Sequence, residues 1–177
     1  DSCRSFAEKK KVKLHFLKNF ESEMMDFDPD KMEDIILNLL YNDIKFTPPG
    51  GDIYMTCDTT QSPSQGRRLV MRIRDTGIGI PENKWNMIFE RFYQIEDKSA
   101  PVREGSGIGL TLVKEYLKLM GGNIEVSSKI NEGTEFVLTL PITKNSNVFE
   151  GQFFHPSDFP VADWSEEIHP TSTLRVG

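Results

Sequence analysis

The chain has 177 residues, 27 acids against 21 bases, a formal net charge of −6 and 37% apolar residues, which fits one soluble globular domain plus some extra chain. The acidic balance argues against a direct nucleic-acid surface, yet it leaves room for a locally positive pocket that binds an anion. Two cysteines, Cys3 and Cys57, are too few for a disulfide framework, and no apolar run is long enough to cross a bilayer.

Residues 1–8 are polar and read as the end of an upstream linker. No apolar signal segment opens the chain. It begins at Asp1 rather than Met, so it reads as a piece of a longer protein, with any membrane anchor outside it. Val12, Leu14 and Phe16 alternate with Lys11, Lys13 and His15, the period of a strand. Asp28-Pro29-Asp30 then opens a helix that runs to about Phe46 and stops at Thr47-Pro48-Pro49-Gly50-Gly51. Strands follow over 52–59 and 68–74, joined by a polar loop. Gly77 to Pro81 is a turn, and Pro81 opens a short helix to about Phe89. Residues 96–107 lack periodicity and read as a mobile loop. Helical spacing returns over 108–120 and is stopped by Gly121-Gly122. Residues 124–128 and 134–140 form a hairpin around Asn131-Glu132-Gly133. The stretch 142–177 has prolines, aromatics and no sustained period, and reads as an irregular tail or connector partly docked on the domain. This order predicts a mixed sheet with helices on one face.

Four segments carry candidate chemistry. On the first long helix, Asn38, Asn42 and Lys45 are spaced by four and three, so they share a face opposite Met32, Ile36 and Leu39. Amide oxygens suit Mg²⁺, and a Lys ammonium suits a phosphate. A solvated helix face would look the same. Asp75-Thr76-Gly77-Ile78-Gly79-Ile80 ends an apolar strand with a carboxylate and two close glycines, a turn where backbone can approach a ligand. Such a carboxylate can accept the exocyclic amine of adenine; a plain Asp-initiated turn is the bland alternative. Phe89 and Phe92, by themselves, read as core, and their place before the mobile loop suits a hinge anchor. Gly105-Ser106-Gly107-Ile108-Gly109-Leu110 runs into a helix, where backbone amides bind anions. It lacks the Lys-Ser/Thr of a P-loop and the spacing of a dinucleotide fingerprint.

In this order, Asn38 to Thr47, Asp75 to Pro81, Ile88 to Tyr93 and Gly105 to Leu110 resemble the N, G1, F and G2 boxes of the catalytic ATP-binding domain of sensor histidine kinases, over about residues 9–141. The resemblance implies the Bergerat fold: a two-layer α/β (α+β) sandwich, with a mixed, mainly antiparallel sheet packed on three helices. It implies ATP and Mg²⁺ as cofactors, Asn42 on the metal with Asn38 assisting, Lys45 on the phosphates and Phe46 bordering adenine. Asp75 would take the adenine amine, with Gly77, Gly79 and Ile80 lining the pocket. Gly105, Gly107, Gly109 and Leu110 would shape the phosphate end. Thr134 would support Asp75 through a water. Residues 83–106 would be a lid, with Lys98 and Arg103 as candidate phosphate contacts.

The implied reaction is donation of the ATP γ-phosphate to a His on a dimerising helical domain, and from there to a response-regulator receiver. His15, His155 and His169 do not resemble that acceptor, so no catalytic residue is assigned within this chain. It is expected to be monomeric, cytoplasmic and inactive in phosphotransfer alone, with no direct membrane contact and a parent anchored in the inner membrane. Asp43 stands where the family usually has Ala, on the apolar side of the helix, and would need a basic partner or else weaken the pocket. Two rivals share the fold or the residues. A GHKL-type ATPase would need a base, for which Asp34 is the candidate. A degenerate, nucleotide-free docking scaffold is the other.

Overall fold

A computed structural model describes residues 3–18, 23–64, 66–95, 105–143 and 152–154. Lys98, Arg103, His155 and His169 lie outside these residues, as does most of 96–107 and of the tail. The elements are α1 (Cys3–Lys10), β1 (Lys13–Lys18), β2 (Glu23–Met25), α2 (Pro29–Phe46), β3 (Asp52–Ser62), β4 (Gly66–Asp75), α3 (Gly109–Leu119), β5 (Asn123–Lys129), β6 (Gly133–Pro141) and β7 (Gln152–Phe154).

Five strands form one sheet in the order β1-β3-β4-β6-β5. Only the β1–β3 pairing is parallel; the other three are antiparallel. Alternation sends one face of each strand inward. Register aligns Met55, Ile73, Phe136 and Val126 in one row, and Cys57, Met71, Leu138 and Ile124 in the next. These rows meet Met32, Ile35, Ile36, Leu39 and Leu40 of α2 and Val113 and Leu117 of α3 in one core. The sheet thus carries its helices on one face, the two-layer sandwich expected. Leu39 is fully buried, so Leu39→Ala would cost about 2–5 kcal/mol.

Helix α2 starts where its sequence says it should. Asp28 caps it by accepting from the Lys31 backbone N–H at 3.1 Å, and Pro29 fills the first turn. It stops at Thr47, which is extended because Pro48 follows.

Three features differ from the sequence expectation. Residues 3–10 are a helix whose Cys3 and Ala7, one turn apart, are buried in the core; a stripe that narrow is hard to see among charges. In place of a helix over 81–89 there are two short 3₁₀ turns, Glu82–Lys84 and Met87–Phe89, with Trp85 Nε1 donating to the Ile80 carbonyl. The third packed helix is therefore α1. Finally, residues 152–154 of the tail, read as irregular, form the strand β7 that pairs with β2. Ile142 also donates its N–H to Arg67 and packs on the core.

Candidate functional site

Sheet register decides where Asp75 points. Leu69, Met71 and Ile73 face the helices, and Asp75 is the next residue in that inward row at the end of β4. Thr134 holds the equivalent place beyond Phe136 on β6. A carboxylate and a hydroxyl are thus delivered beneath the C-terminal end of α2, both buried. The Gly77 N–H donates to Asp75 Oδ1 at 2.5 Å, and the Thr134 backbone N–H and hydroxyl also donate to this carboxylate. Burial raises the Asp75 pKa above its ordinary value, and the hydrogen bonds from Gly77 and Thr134 oppose that rise.

The turn after Asp75 is stitched to α2. Ile78 N–H donates to the Phe46 carbonyl at 3.2 Å. A Cβ on Gly77 would lie 2.5 Å from both Asp75 Oδ1 and the Phe46 carbonyl oxygen, so only glycine fits there. Gly79 lies against the Lys129 carbonyl. Ile80 packs on the core and donates its N–H to Ser128 Oγ at 2.8 Å. Phe46 and Ile78 are about half exposed at the rim.

The other end of the site is built from α2 and the start of α3. Asn38 Nδ2 donates to the Asp34 carbonyl at 2.8 Å, which leaves Oδ1 for another partner. That oxygen sits 2.6 Å from where a Cβ on Gly109 would be, so the first turn of α3 reaches the Asn38 amide only because residue 109 has no side chain. Lys45 Nζ lies 3.6 Å from the corresponding position on Gly105. Gly107 accepts from the Phe92 N–H at 2.8 Å, and Leu110 packs on the core. Asn42 lies on the same α2 face, one turn after Asn38. Two clusters result beside one helix: Phe46, Asp75, Gly77, Gly79, Ile80 and Thr134 around its C-terminal end and the turn after β4, and Asn38, Lys45, Gly105 and Gly109 along its polar face toward the start of α3.

The sequence pattern of the family described as "Histidine kinase-, DNA gyrase B-, and HSP90-like ATPase" matches residues 27–144. This chain belongs to that family. Hybrid signal transduction histidine kinase D of Dictyostelium discoideum is 38% identical over 141 residues, 78% of this chain and 9% of that relative. Sensor protein SrrB of Staphylococcus aureus is 32% identical over 121 residues, 68% of this chain and 20% of that protein. The chain therefore spans a fifth or less of the length of these relatives. Full-length ShkA, solved in complex with AMPPNP, superimposes with a TM-score of 0.64 at 25% identity, over 80% of this chain and 29% of that one.

The donors present fit a family ATPase site. Among the described residues no group of three or more His, Cys, Asp or Glu could hold a metal. The Asn38 and Asn42 amides are hard oxygen donors of the kind Mg²⁺ accepts alongside phosphate and water.

Among the described residues Asp43 has no basic partner. Its carboxyl is buried, Oδ2 has no hydrogen bond, and burial, helped by the nearby Asp75 charge, pushes its pKa well above the ordinary value. Phe89 packs edge-on against Phe136 with centroids 6.5 Å apart, as a core residue should. Phe92 does not: it is 72% exposed, with a positive φ, and its backbone holds Gly107. Sequence reasoning missed Ser128, whose hydroxyl joins the Ile80 N–H, the Gly133 carbonyl and Thr134 Oγ1. A lone Ser on a strand carries no pattern that singles it out. His15 is committed to a 2.7 Å contact with Asp52 and a stacked Tyr54.

Proposed function

We propose that the chain is the ATP-binding catalytic domain of a sensor histidine kinase, which holds Mg·ATP along α2 and donates its γ-phosphate to a His on a dimerisation domain of the same kinase. A response-regulator receiver is the onward acceptor, and the parent protein is a membrane-anchored sensor with this domain in the cytoplasm. The observation that carries the reading is the buried Asp75 carboxylate, fixed by Gly77 and Thr134 and tied through Ile78 to the helix end that bears Lys45.

Each residue then has a task. Asp75 accepts the adenine amine, a donor that guanine does not present at that position. Phe46 and Ile80 flank the base. Asn42 and Asn38 hold Mg²⁺, which supplies charge neutralisation to the phosphates when bound. Lys45 and the Gly105–Gly109 backbone orient the phosphate chain, with residues 83–106 as the lid. Phosphoryl transfer depends mainly on such positioning and electrostatic stabilisation. With no acceptor His in the site, the chain alone binds nucleotide without transferring phosphate.

Titration with a fluorescent ATP analogue in Mg²⁺, with ATP and GTP as competitors, tests the reading. It expects displacement by ATP at a concentration at least about tenfold below that needed with GTP. Equal competition by the two would remove adenine recognition from the account.

A further inference from the structure

The end of α2 has a defect that its sequence makes unavoidable. In a continuing helix the Ile44 and Lys45 carbonyls would accept from the N–H groups of residues 48 and 49. Both residues are proline and have no N–H. The neighbouring carbonyls are provided for: Asp43 accepts from the Thr47 N–H at 2.9 Å, and Phe46 from the Ile78 N–H at 3.2 Å. The two left by the prolines are taken by one side chain from another helix. Lys10 Nζ donates to the Ile44 carbonyl at 2.8 Å and to the Lys45 carbonyl.

Lys10 is the last residue of α1, and α1 is fixed to this corner. Cys3 and Ala7 are buried in the core, and the Phe6 and Tyr41 rings lie 5.7 Å apart. Gly50 donates to the Lys11 carbonyl at 2.7 Å, and Lys13 donates to Gly51 at 3.0 Å. A cation at a helix C-terminus also faces the negative end of the helix dipole. One of the carbonyls it grips belongs to Lys45.

We propose that Lys10 is a positioning residue for the nucleotide site: by holding the two proline-orphaned carbonyls of α2, it sets where Lys45 meets the phosphates and makes the placement of α1 felt at the pocket. The inference rests on the nucleotide reading above. It adds a residue outside the matched family segment, which begins at residue 27. The base end has its own tie, from Ile78 to Phe46, so the effect belongs to the phosphate end.

The test measures binding of Mg·ATP and of adenosine to the native chain, Lys10→Met, Lys10→Arg, Lys45→Ala and the Lys10→Met/Lys45→Ala pair. Lys10→Met is expected to weaken Mg·ATP about five- to tenfold and adenosine less than about twofold. In the Lys45→Ala background the same change is expected to have less than about a twofold effect. Lys10→Arg, which keeps the charge and the donors, is expected to bind as the native chain does. Should Lys10→Met not fold, Lys10→Gln takes its place against the same expectations. Equal losses for ATP and adenosine, or equal losses with and without Lys45, would mean a purely structural role and overturn the inference. So would native-like ATP binding by the neutral variant. Absence of saturable ATP binding by the native chain would overturn the nucleotide reading, and this inference with it.

Discussion

At the scale of single residues, the site holds two buried carboxyls of opposite character. Asp75 is surrounded by donors, whereas Asp43 Oδ2 has none. An unpaired buried group carries its desolvation cost without return, so Asp43→Ala is expected to stabilise the nucleotide-free chain at pH 7 by about 1–3 kcal/mol in urea unfolding. An unchanged or lower stability would show that the carboxyl has a compensating partner. The pH dependence has a definite sign. A carboxyl whose folded pKa is raised keeps its proton in the native state while the unfolded chain releases it, so stability falls as pH rises above the ordinary value of 3.8. The gap between Asp43→Ala and the native chain should therefore widen from about that pH upward. A constant gap from pH 3 to pH 8 would contradict the burial argument.

At the scale of elements, α2 organises the site by facing three ways. Its apolar side enters the core, its polar side carries Asn38, Asn42 and Lys45, and its C-terminal end is bound by α1 and the turn after β4. Helix α3 approaches so closely at Gly109 that Gly109→Ala must displace the Asn38 amide. Alanine is also the better helix former, so this variant should keep its melting temperature within a few degrees while losing about tenfold in Mg·ATP affinity. A fall in both would assign Gly109 to folding rather than to the site. The helical period of α2 and α3, the capping Asp28 and the alternation of β3, β4 and β6 are written locally, which is why these elements were legible in the sequence. So was the pairing of Asp75 with glycines. Helix α1 was not legible, because only Cys3 and Ala7 of its eight residues are buried. Strand β2 was hidden because its partner β7 lies far along the chain. The grip of Lys10 on α2 was hidden for the same reason: it joins residues 34 and 35 positions apart.

At the scale of the whole molecule, one sandwich carries the candidate site beside α2 in its helical layer. Among the described residues no helix is long and apolar enough to cross a membrane. His15 is engaged by Asp52 and Tyr54 on β1 and β3 and is not a phosphate acceptor in this account. Incubation with γ-labelled ATP should therefore leave this chain unlabelled and label a dimerisation domain added in trans. Acid-labile label on the chain itself would contradict that division of labour. The most direct test of the central claim is calorimetric titration of Mg·ATP into the native chain and into Asp75→Asn. The account predicts one saturable site in the native chain and an affinity about 10–100-fold weaker in the variant, with unchanged folding. Heat that never saturates in the native chain, or equal affinity in the two, would contradict it.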